Sequence, residues 1–275
     1  MAVFAGRDFS LPLGGRTYIM GILNVTPDSF SDGGRYCTVE DAVARARQIE
    51  EEGADILDIG AQSTRPGYQQ ISEKEELSRL LPVLEAVREA VRLPISVDTF
   101  FPEVARQAML AGANILNDVS GFEESGMIRV AAYFDAGCVL MHPGAASYPR
   151  GVVREVRDYL KKGADRLRLG GVSPDRICLD PGIGFGKDMD DCLTLLRCTR
   201  ETRVPDYAYL VGASRKRVVG YPVGNPPFRD RMPGTIAAHT LCQQGGADIL
   251  RVHDVAAAVQ AARVADAVLY GMPQD

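Results

Sequence analysis

The sequence is poor in several residue types that mark particular classes of protein. It contains no tryptophan and only 3 histidines in 275 residues. Its formal net charge is −5, so no basic excess predicts binding to nucleic acid or to an anionic membrane surface. An anionic small molecule would therefore have to be bound by locally placed arginine, lysine and backbone N–H groups.

The cysteines form no recognisable pattern, with no CxxC pair and no spacing typical of zinc sites. They are Cys37, Cys138, Cys178, Cys192, Cys198 and Cys242. Two of them lie in apolar runs, where reduced cysteine behaves as a small hydrophobic residue, so we expect free thiols. No apolar run approaches the ~20 residues of a membrane span, and the first residues do not resemble a signal peptide. We therefore expect a cytoplasmic protein without membrane contact.

Short apolar runs rich in β-formers alternate with amphipathic helical segments along the chain. Most of these runs are hydrophobic throughout, which is typical of parallel strands covered on both faces. The predicted strands are residues 17–23, 54–59, 94–98, 114–117, 137–141, 176–180, 208–212 and 247–251. Eight strands, each followed by a helix, within about 250 residues match an α/β fold of the TIM (β/α)8 barrel class.

An open, doubly wound sheet is the alternative fold. Such a sheet usually has a glycine-rich turn after its first strand, whereas here residues 24–28 read NVTPD, which favours the barrel. No linker or low-complexity tract divides the chain, so we predict a single domain over residues 1–275. The residues before Thr17 are expected to form a short N-terminal hairpin that covers the amino end of the barrel.

Polar or charged residues end nearly every predicted strand. In a TIM barrel, the carboxyl ends of the strands carry the functional site. One such residue alone would more often cap the following helix, but polar groups at eight strand ends that converge on one mouth favour a ligand site. The residues at these ends are Asn24, Asp58, Asp98, Asn117, His142, Asp180, Ser214, Arg215, Lys216, Arg251 and His253.

The residues at the mouth fall into two chemical groups. The first offers acceptors, an amide and a cation that suit a planar amino-pyrimidinone ring, and comprises Asp98, Asn117, Asp180 and Lys216. The second suits phosphate oxygens, because arginine binds phosphate in a bidentate fork, and comprises Asn24, Thr64, Arg65, Arg251 and His253. We therefore predict a slot for a flat ring, topped by a positively charged cradle.

Segments along almost the whole chain resemble the dihydropteroate synthase family, in order. They are residues 21–34 (GILNVTPDSFSDGG), 58–60 (DIG), 63–67 (STRPG), 96–99 (SVDT), 117–118 (ND), 180–187 (DPGIGFGK), 214–216 (SRK) and 251–254 (RVHD). The resemblance implies a transferase of folate biosynthesis, of a family targeted by sulfonamides. This enzyme condenses 6-hydroxymethyl-7,8-dihydropterin diphosphate with 4-aminobenzoate to 7,8-dihydropteroate and diphosphate.

The resemblance also implies roles for individual residues. Asn24 would ligate a Mg²⁺ cofactor that bridges the diphosphate, and the first group would hold the pterin together with Met141. The catalytic residues implied are Asp98, Lys216, Arg251, His253 and Asn24. The diphosphate oxygens would also meet Arg65, Arg251 and His253. The walls of the 4-aminobenzoate pocket would be Phe30, Pro66, Phe185, Lys216 and Arg217. We expect an SN1-like reaction, with Asp98 near the cation formed on the pterin.

The last two helices carry apolar residues. These residues are expected either to form a homodimer interface, as in the family, or to pack against the barrel. They are Ile236, Leu241, Val259, Val264 and Val268. Departures from the family pattern are the shortened MHPG at residues 141–144, AQ at residues 61–62, and Arg217 where some members have serine. None of them removes a predicted catalytic group.

Two other functions compete with synthesis. A pterin-binding methyltransferase domain would share the acceptor group but would not need the SRK segment or the diphosphate group. A non-catalytic pterin-binding paralogue would have lost part of the diphosphate or metal set. The sequence retains Asn24, Arg65, Lys216, Arg251 and His253, which favours synthesis.

Several other polar residues are expected to be structural. His239 lies inside a predicted helix, and Asp254 is expected to cap a helix or to sit as an acid in its first turn. Lys187 and Asp188 are expected to begin the sixth helix and its loop.

Overall fold

A computed structural model describes residues 2–25, 38–62 and 70–272 of the chain. Its strands are β1 (Val3–Gly6), β2 (Phe9–Pro12), β3 (Tyr18–Asn24), β4 (Ile56–Gly60), β5 (Ile95–Asp98), β6 (Ile115–Asp118), β7 (Gly137–Met141), β8 (Ile177–Asp180), β9 (Ala208–Val211) and β10 (Ile249–Val252). Its α-helices are α1 (Val39–Glu51), α2 (Glu73–Ala90), α3 (Pro102–Leu110), α4 (Ser125–Tyr133), α5 (Val152–Leu169), α6 (Met189–Arg197), α7 (Thr199–Thr202), α8 (Arg217–Gly220), α9 (Met232–Gln244) and α10 (Val255–Tyr270).

Strands β3 to β10 close into one parallel barrel, in the order β10-β3-β4-β5-β6-β7-β8-β9. The predicted TIM barrel is thereby confirmed, and each predicted strand lies within two residues of the observed one. The apolar runs form central strands because both their faces are covered, one by the barrel interior and the other by the helices.

The N-terminal hairpin closes the amino end of the barrel, as predicted. β1 and β2 pair antiparallel, with Val3 opposite Pro12. Phe4 and Leu13 are buried and pack in one cluster with inward-facing residues of the barrel strands. This hairpin seals the end of the barrel opposite the mouth.

Side-chain alternation along the strands separates an apolar floor from a polar mouth. The floor is formed by inward-facing residues that include Ile56, Ile115, Val139, Cys178, Leu210 and Ile249. Two residues further along the same strands or just beyond them come Asp58, Asn117, Met141, Asp180, Gly212 and Arg251. The same two-residue period that buries the floor therefore turns these side chains into the mouth.

Smaller predictions can also be checked against the fold. Asp188 caps α6, because its side chain accepts a hydrogen bond from the Asp191 N–H at 2.8 Å. The cysteines within the described ranges are free thiols, and Cys37 lies outside those ranges. In the described part of the chain, no helix combines the length and apolarity that crossing a membrane would require.

Candidate active site

A buried ion cluster of Arg251, Asp58 and Asp98 lies at the mouth of the barrel. Arg251 Nε donates to Asp58 Oδ2 at 2.7 Å, and Arg251 Nη2 lies 3.0 Å from Asp98 Oδ2. Asp58 also accepts hydrogen bonds from the Ser96 hydroxyl at 2.6 Å and from Asn117 Nδ2 at 3.3 Å. Strand register brings these groups together, because Asp58 pairs with Ser96 and Asp98 pairs with Asn117.

The cluster contains two carboxylates and one guanidinium. Burial raises the pKa of Asp98, Arg251 opposes this shift, and the nearby Asp58 carboxylate adds to it. Buried charges are tolerated where they are paired and hydrogen-bonded. The arrangement keeps an acceptor-rich surface at the bottom of the mouth, as a ligand with adjacent N–H donors requires.

Asp180 and Lys216 provide an acceptor and a cation on the far side of the mouth from Asp98. β5 and β9 lie opposite each other, since three strands separate them in either direction around the barrel. Asp180 Oδ1 accepts a hydrogen bond from the Gly182 N–H at 2.7 Å. Burial raises the pKa of Asp180, and Lys216 opposes that shift. Burial lowers the pKa of Lys216 to about 8, while Asp180 raises it.

An aromatic wall accompanies the lysine. Lys216 Nζ donates to the Ile183 carbonyl at 2.6 Å and lies 4.6 Å from the centre of the Phe185 ring. Met141 is buried and pairs in register with Asp180. Together, Phe185 and Met141 supply apolar surface beside the polar groups, which a flat heterocycle needs.

Asn24 lies at the carboxyl end of β3, opposite Gly60 of β4. A Cβ atom at residue 60 would lie 3.7 Å from Asn24 Oδ1 and 3.6 Å from Asp98 Cβ. The missing side chain of Gly60 therefore leaves the space between Asn24 and Asp98 open. The Asn24 amide oxygen is a hard ligand of the kind that Mg²⁺ prefers.

His253 lies just beyond β10, beside the loop that follows β9. Its Nδ1 is 3.0 Å from the Ser214 hydroxyl, and its backbone N–H donates to the same oxygen at 3.1 Å. The Phe228 ring meets the imidazole edge to face at 5.3 Å. His253 is thus held in a defined orientation near the rim.

Asp254 lies at the start of a helix, as expected, but its side chain does not cap that helix. Asp254 occupies the N-cap position of α10, but its side chain makes no capping hydrogen bond. Instead its two oxygens bind Arg215, with Nε to Oδ2 at 2.8 Å. The bidentate pair satisfies both carboxylate oxygens with one guanidinium, and it links the β9 and β10 loops.

Arg251, which the sequence places with the phosphate-binding group, also contacts the acceptor group. Its guanidinium bonds to Asp58 and Asp98, so it lies among the acceptors of the ring slot. Asp58 itself was not assigned a role. Its position two residues after the inward-facing Ile56 could have revealed it, because a carboxylate in an apolar strand must find a buried partner.

Of the remaining predicted site residues, some lie outside the described ranges and one is exposed. Phe30, Thr64, Arg65 and Pro66 lie outside the described residues. Arg217 is exposed at the first position of α8, and its contact with 4-aminobenzoate stays a prediction.

His239 has a structural role, as expected. Its Nε2 accepts a hydrogen bond from the Ala213 N–H at 3.1 Å, just beyond the end of β9. Burial, followed by the charge of Lys216, lowers the pKa of His239 to about 3, so the imidazole is neutral.

Asp118 also has a structural role. It accepts hydrogen bonds from the N–H groups of Ser120 and Phe122 and shapes the loop after β6.

Comparison with known proteins agrees with this geometry. Residues 20–253 match the family described as pterin binding enzymes. The dihydropteroate synthase of Clostridium beijerinckii is 40% identical, covering 94% of this chain and 96% of the relative. That of Synechocystis sp. is 44% identical, covering 93% and 91%.

Solved structures of similar proteins share the whole fold. The dihydropteroate synthase of Xanthomonas albilineans, solved with 4-aminobenzoic acid, superposes with a TM-score of 0.89 at 45% identity, covering 94% of both chains. That of Burkholderia cenocepacia, complexed with 7,8-dihydropteroate, has a TM-score of 0.88 at 40% identity, covering 98% of this chain and 96% of the other. The chain therefore belongs to the dihydropteroate synthase family of pterin-binding enzymes.

Proposed function

We propose that the mouth of this barrel carries out the dihydropteroate synthase reaction, with recognition of the ring on its floor and departure of diphosphate at its rim. The reaction joins 6-hydroxymethyl-7,8-dihydropterin diphosphate to 4-aminobenzoate and releases diphosphate. The observation that carries this proposal is the Asp58–Arg251–Asp98 cluster, in which Asp98 comes from the strand opposite β9, the strand that precedes Lys216. The family relationship, and the ligands of the Xanthomonas and Burkholderia proteins, support it.

The floor of the mouth suits the pterin ring. Its amino-pyrimidinone edge has adjacent N–H donors, which pair bidentately with a carboxylate such as that of Asp180. Asp98 and Asn117 offer further hydrogen-bonding groups on the other side of the slot. The Lys216 ammonium can donate to the ring carbonyl oxygen. Phe185, expected from the resemblance in the wall of the 4-aminobenzoate pocket, is proposed to cover the flat face of the pterin as well.

The rim suits the diphosphate. Among the described residues, Arg251 uses Nε and Nη2 for its two carboxylates, which leaves Nη1 to donate to a phosphate oxygen. Arg65 and His253 are proposed as further donors, Arg65 on the resemblance alone. Five N–H donors allow one guanidinium to serve both carboxylates and phosphate.

Mg²⁺ is proposed as the cofactor, with Asn24 as its protein ligand. The described residues contain no cluster of three or more His, Cys, Asp or Glu side chains able to hold a metal. A single amide oxygen fits Mg²⁺, which takes few protein ligands and completes its shell with phosphate oxygens and water. When bound, the ion neutralises charge on the diphosphate and makes it a better leaving group.

The proposed step is SN1-like and needs no protein nucleophile. As the C–O bond to diphosphate breaks, positive charge spreads into the pterin ring, and the fixed Asp98 carboxylate stabilises that charge. The amine of 4-aminobenzoate then attacks and releases its proton to diphosphate or to solvent. Phe30, Pro66 and Arg217 are proposed to line the pocket from which the amine approaches.

A single assay tests this function. The purified protein is incubated with pterin diphosphate, Mg²⁺ and 4-aminobenzoate, and dihydropteroate and diphosphate are measured. Product formation supports the synthase. Tight binding of pterin diphosphate without product would indicate the non-catalytic paralogue, and preferential binding of methyltetrahydrofolate would indicate the methyltransferase domain.

We also propose a cytoplasmic homodimer that associates through α9 and α10. Leu241, Val264 and Val268 on these helices are 62%, 63% and 81% exposed, whereas Val259 is buried against the barrel. Exposed apolar stripes of this kind often mark an interface. The free cysteines are consistent with a reducing compartment. Light scattering of the wild type and of Val264→Glu tests the dimer, since a charge at this position should produce monomers.

A further inference from the structure

One half-buried cation ties together the loops that follow β7 and β8. Lys187 Nζ donates to the carbonyl oxygens of Gly182 and Phe185, both at 2.9 Å, and lies 3.4 Å from that of His142. Two of these carbonyls belong to the β8 loop and one to the β7 loop. Lys187 therefore does more than lead into α6, which is the role expected from the sequence.

The two loops touch backbone to backbone at this point. A Cβ atom at Gly182 would lie 2.1 Å from the His142 carbonyl oxygen, and one at Gly144 would lie 2.6 Å from Gly186 Cα. Both glycines also have positive φ, 66° and 111°, which side chains rarely adopt. No side chain separates the loops, so the carbonyls that face each other need a donor, and the lysine supplies it.

The segment held by Lys187 carries the ring-facing groups of the mouth. The Gly182 N–H donates to Asp180 Oδ1 at 2.7 Å, and the Phe185 ring lies 4.6 Å from Lys216 Nζ. Lys216 holds the same segment from the pocket side, through the Ile183 carbonyl at 2.6 Å. Lys187 also holds it, through backbone carbonyls of the two loops.

The charge of Lys187 is consistent with this arrangement. Burial lowers the pKa of Lys187 to about 8, while Asp180, Cys192 and Asp191 raise it and Lys216 lowers it. The ammonium form therefore predominates near neutral pH. Burial and then this charge lower the pKa of His142 to about 3, so its neutral Nδ1 accepts the Gly144 N–H at 3.1 Å.

We propose that Lys187 is a positioning residue for the pterin: it holds residues 182–186 against the β7 loop and thereby places Asp180 and Phe185 where the flat ring binds. This inference rests on the proposed function. Lys187 acts through these two residues and does not itself contact the reacting groups.

The test compares Lys187→Met with Lys187→Arg, and with Lys162→Met on the exposed face of α5 as a matched control. Calorimetry measures binding of 6-hydroxymethyl-7,8-dihydropterin and, separately, of inorganic diphosphate, which reports on the rim. We expect Lys187→Met to weaken pterin binding about tenfold, because ligand binding would then have to order residues 182–186. The dissociation constant of diphosphate should stay within about twofold, because the rim does not depend on this loop.

Lys187→Arg should recover most of the pterin affinity, since a guanidinium also donates to several carbonyls. Unchanged pterin binding in Lys187→Met would overturn the inference. A parallel loss of pterin and diphosphate binding would overturn it too, because it would indicate a general loss of structure. A wild type that binds pterin but forms no dihydropteroate would instead refute the proposed function, and the binding comparison would still decide the role of Lys187.

Discussion

Arg251 and Asp98, 153 residues apart in the sequence, meet at 3.0 Å between Nη2 and Oδ2. The same guanidinium also binds Asp58, through Nε at 2.7 Å. One arginine at the end of the last barrel strand therefore holds the carboxylates of two other strands. In the proposed reaction, this arginine couples the ring slot to the leaving diphosphate.

Arg251→Ala should destabilise the fold as well as abolish activity. Asp58 and Asp98 would be left as buried carboxylates without a cation, and breaking a buried ion pair costs about 3–5 kcal/mol. The free energy of unfolding in urea, measured near pH 8, should fall by that amount. The deficit should shrink at lower pH, because burial already raises the pKa of Asp98 and protonation removes the repulsion.

The double variant Asp58→Asn with Arg251→Ala provides the control for this prediction. Removing one of the two carboxylates should restore part of the lost stability, because the contacts are coupled. A loss below about 1 kcal/mol in Arg251→Ala, with no dependence on pH, would show that the ion cluster does not hold the mouth together.

Asp58→Asn should lower kcat/KM about ten- to a hundredfold, the range expected for a lost charge-assisted contact of about 1.5–3 kcal/mol. The amide keeps the shape of the side chain but no longer fixes the Arg251 guanidinium. Steady-state kinetics measures the effect, and thermal unfolding verifies that the variant is folded. Asp8→Asn, in the exposed hairpin turn, is the matched control, because asparagine tolerates its positive φ of 59°. Wild-type kinetics in Asp58→Asn would rule out a part for this residue in the site.

Asp98→Asn should reduce kcat more than it weakens pterin binding. If the carboxylate stabilises positive charge that develops only in the transition state, its removal should cost about 10²–10³ in kcat. Binding of 6-hydroxymethyl-7,8-dihydropterin should weaken less than about tenfold, since the amide still offers an acceptor oxygen. Calorimetry and steady-state kinetics on the same preparation make the comparison. Equal losses in both quantities would mean that Asp98 only binds the ring.

Glu76→Gln should stabilise the protein at alkaline pH. Glu76 lies on α2 with 1% exposure, and neither carboxylate oxygen has a hydrogen-bond partner within the described part of the chain. Burial raises the pKa of Glu76 from 4.5 to about 7, although the nearby Thr99 hydroxyl opposes this shift. Between these values the folded state holds a proton that the unfolded state has lost, so stability falls as pH rises through this range.

The glutamine side chain does not ionise, and it should therefore remove that loss. We expect a gain of up to about 3 kcal/mol near pH 8 and little change near pH 4.5. Urea unfolding at both pH values measures it. Glu75→Gln, one residue earlier and exposed, should change stability by less than about 0.5 kcal/mol. An equal effect of Glu76→Gln at both pH values would contradict the assigned titration.

The sequence by itself determined the barrel and the location of its site. A strand can be predicted from the pattern of residues next to one another in the sequence. Eight apolar strands, each followed by a helix, have few arrangements other than a barrel that bury both faces of their sheet. Asp98, Asn117 and Asp180 could be placed at one mouth because parallel strands of a barrel all end on the same side. These inferences need only local pattern and topology.

Only the tertiary structure decided which of these side chains form ion pairs and hydrogen bonds with one another. Three contacts join residues that are far apart in the chain. Arg251 binds Asp58 and Asp98, Asp254 binds Arg215, and Lys187 links the β8 loop to the His142 carbonyl of the β7 loop. Strand register and the closing of the barrel set the distances between them. Hydrogen bonds and ion pairs form only between groups a few ångströms apart. The amino-acid sequence alone does not give distances at that precision.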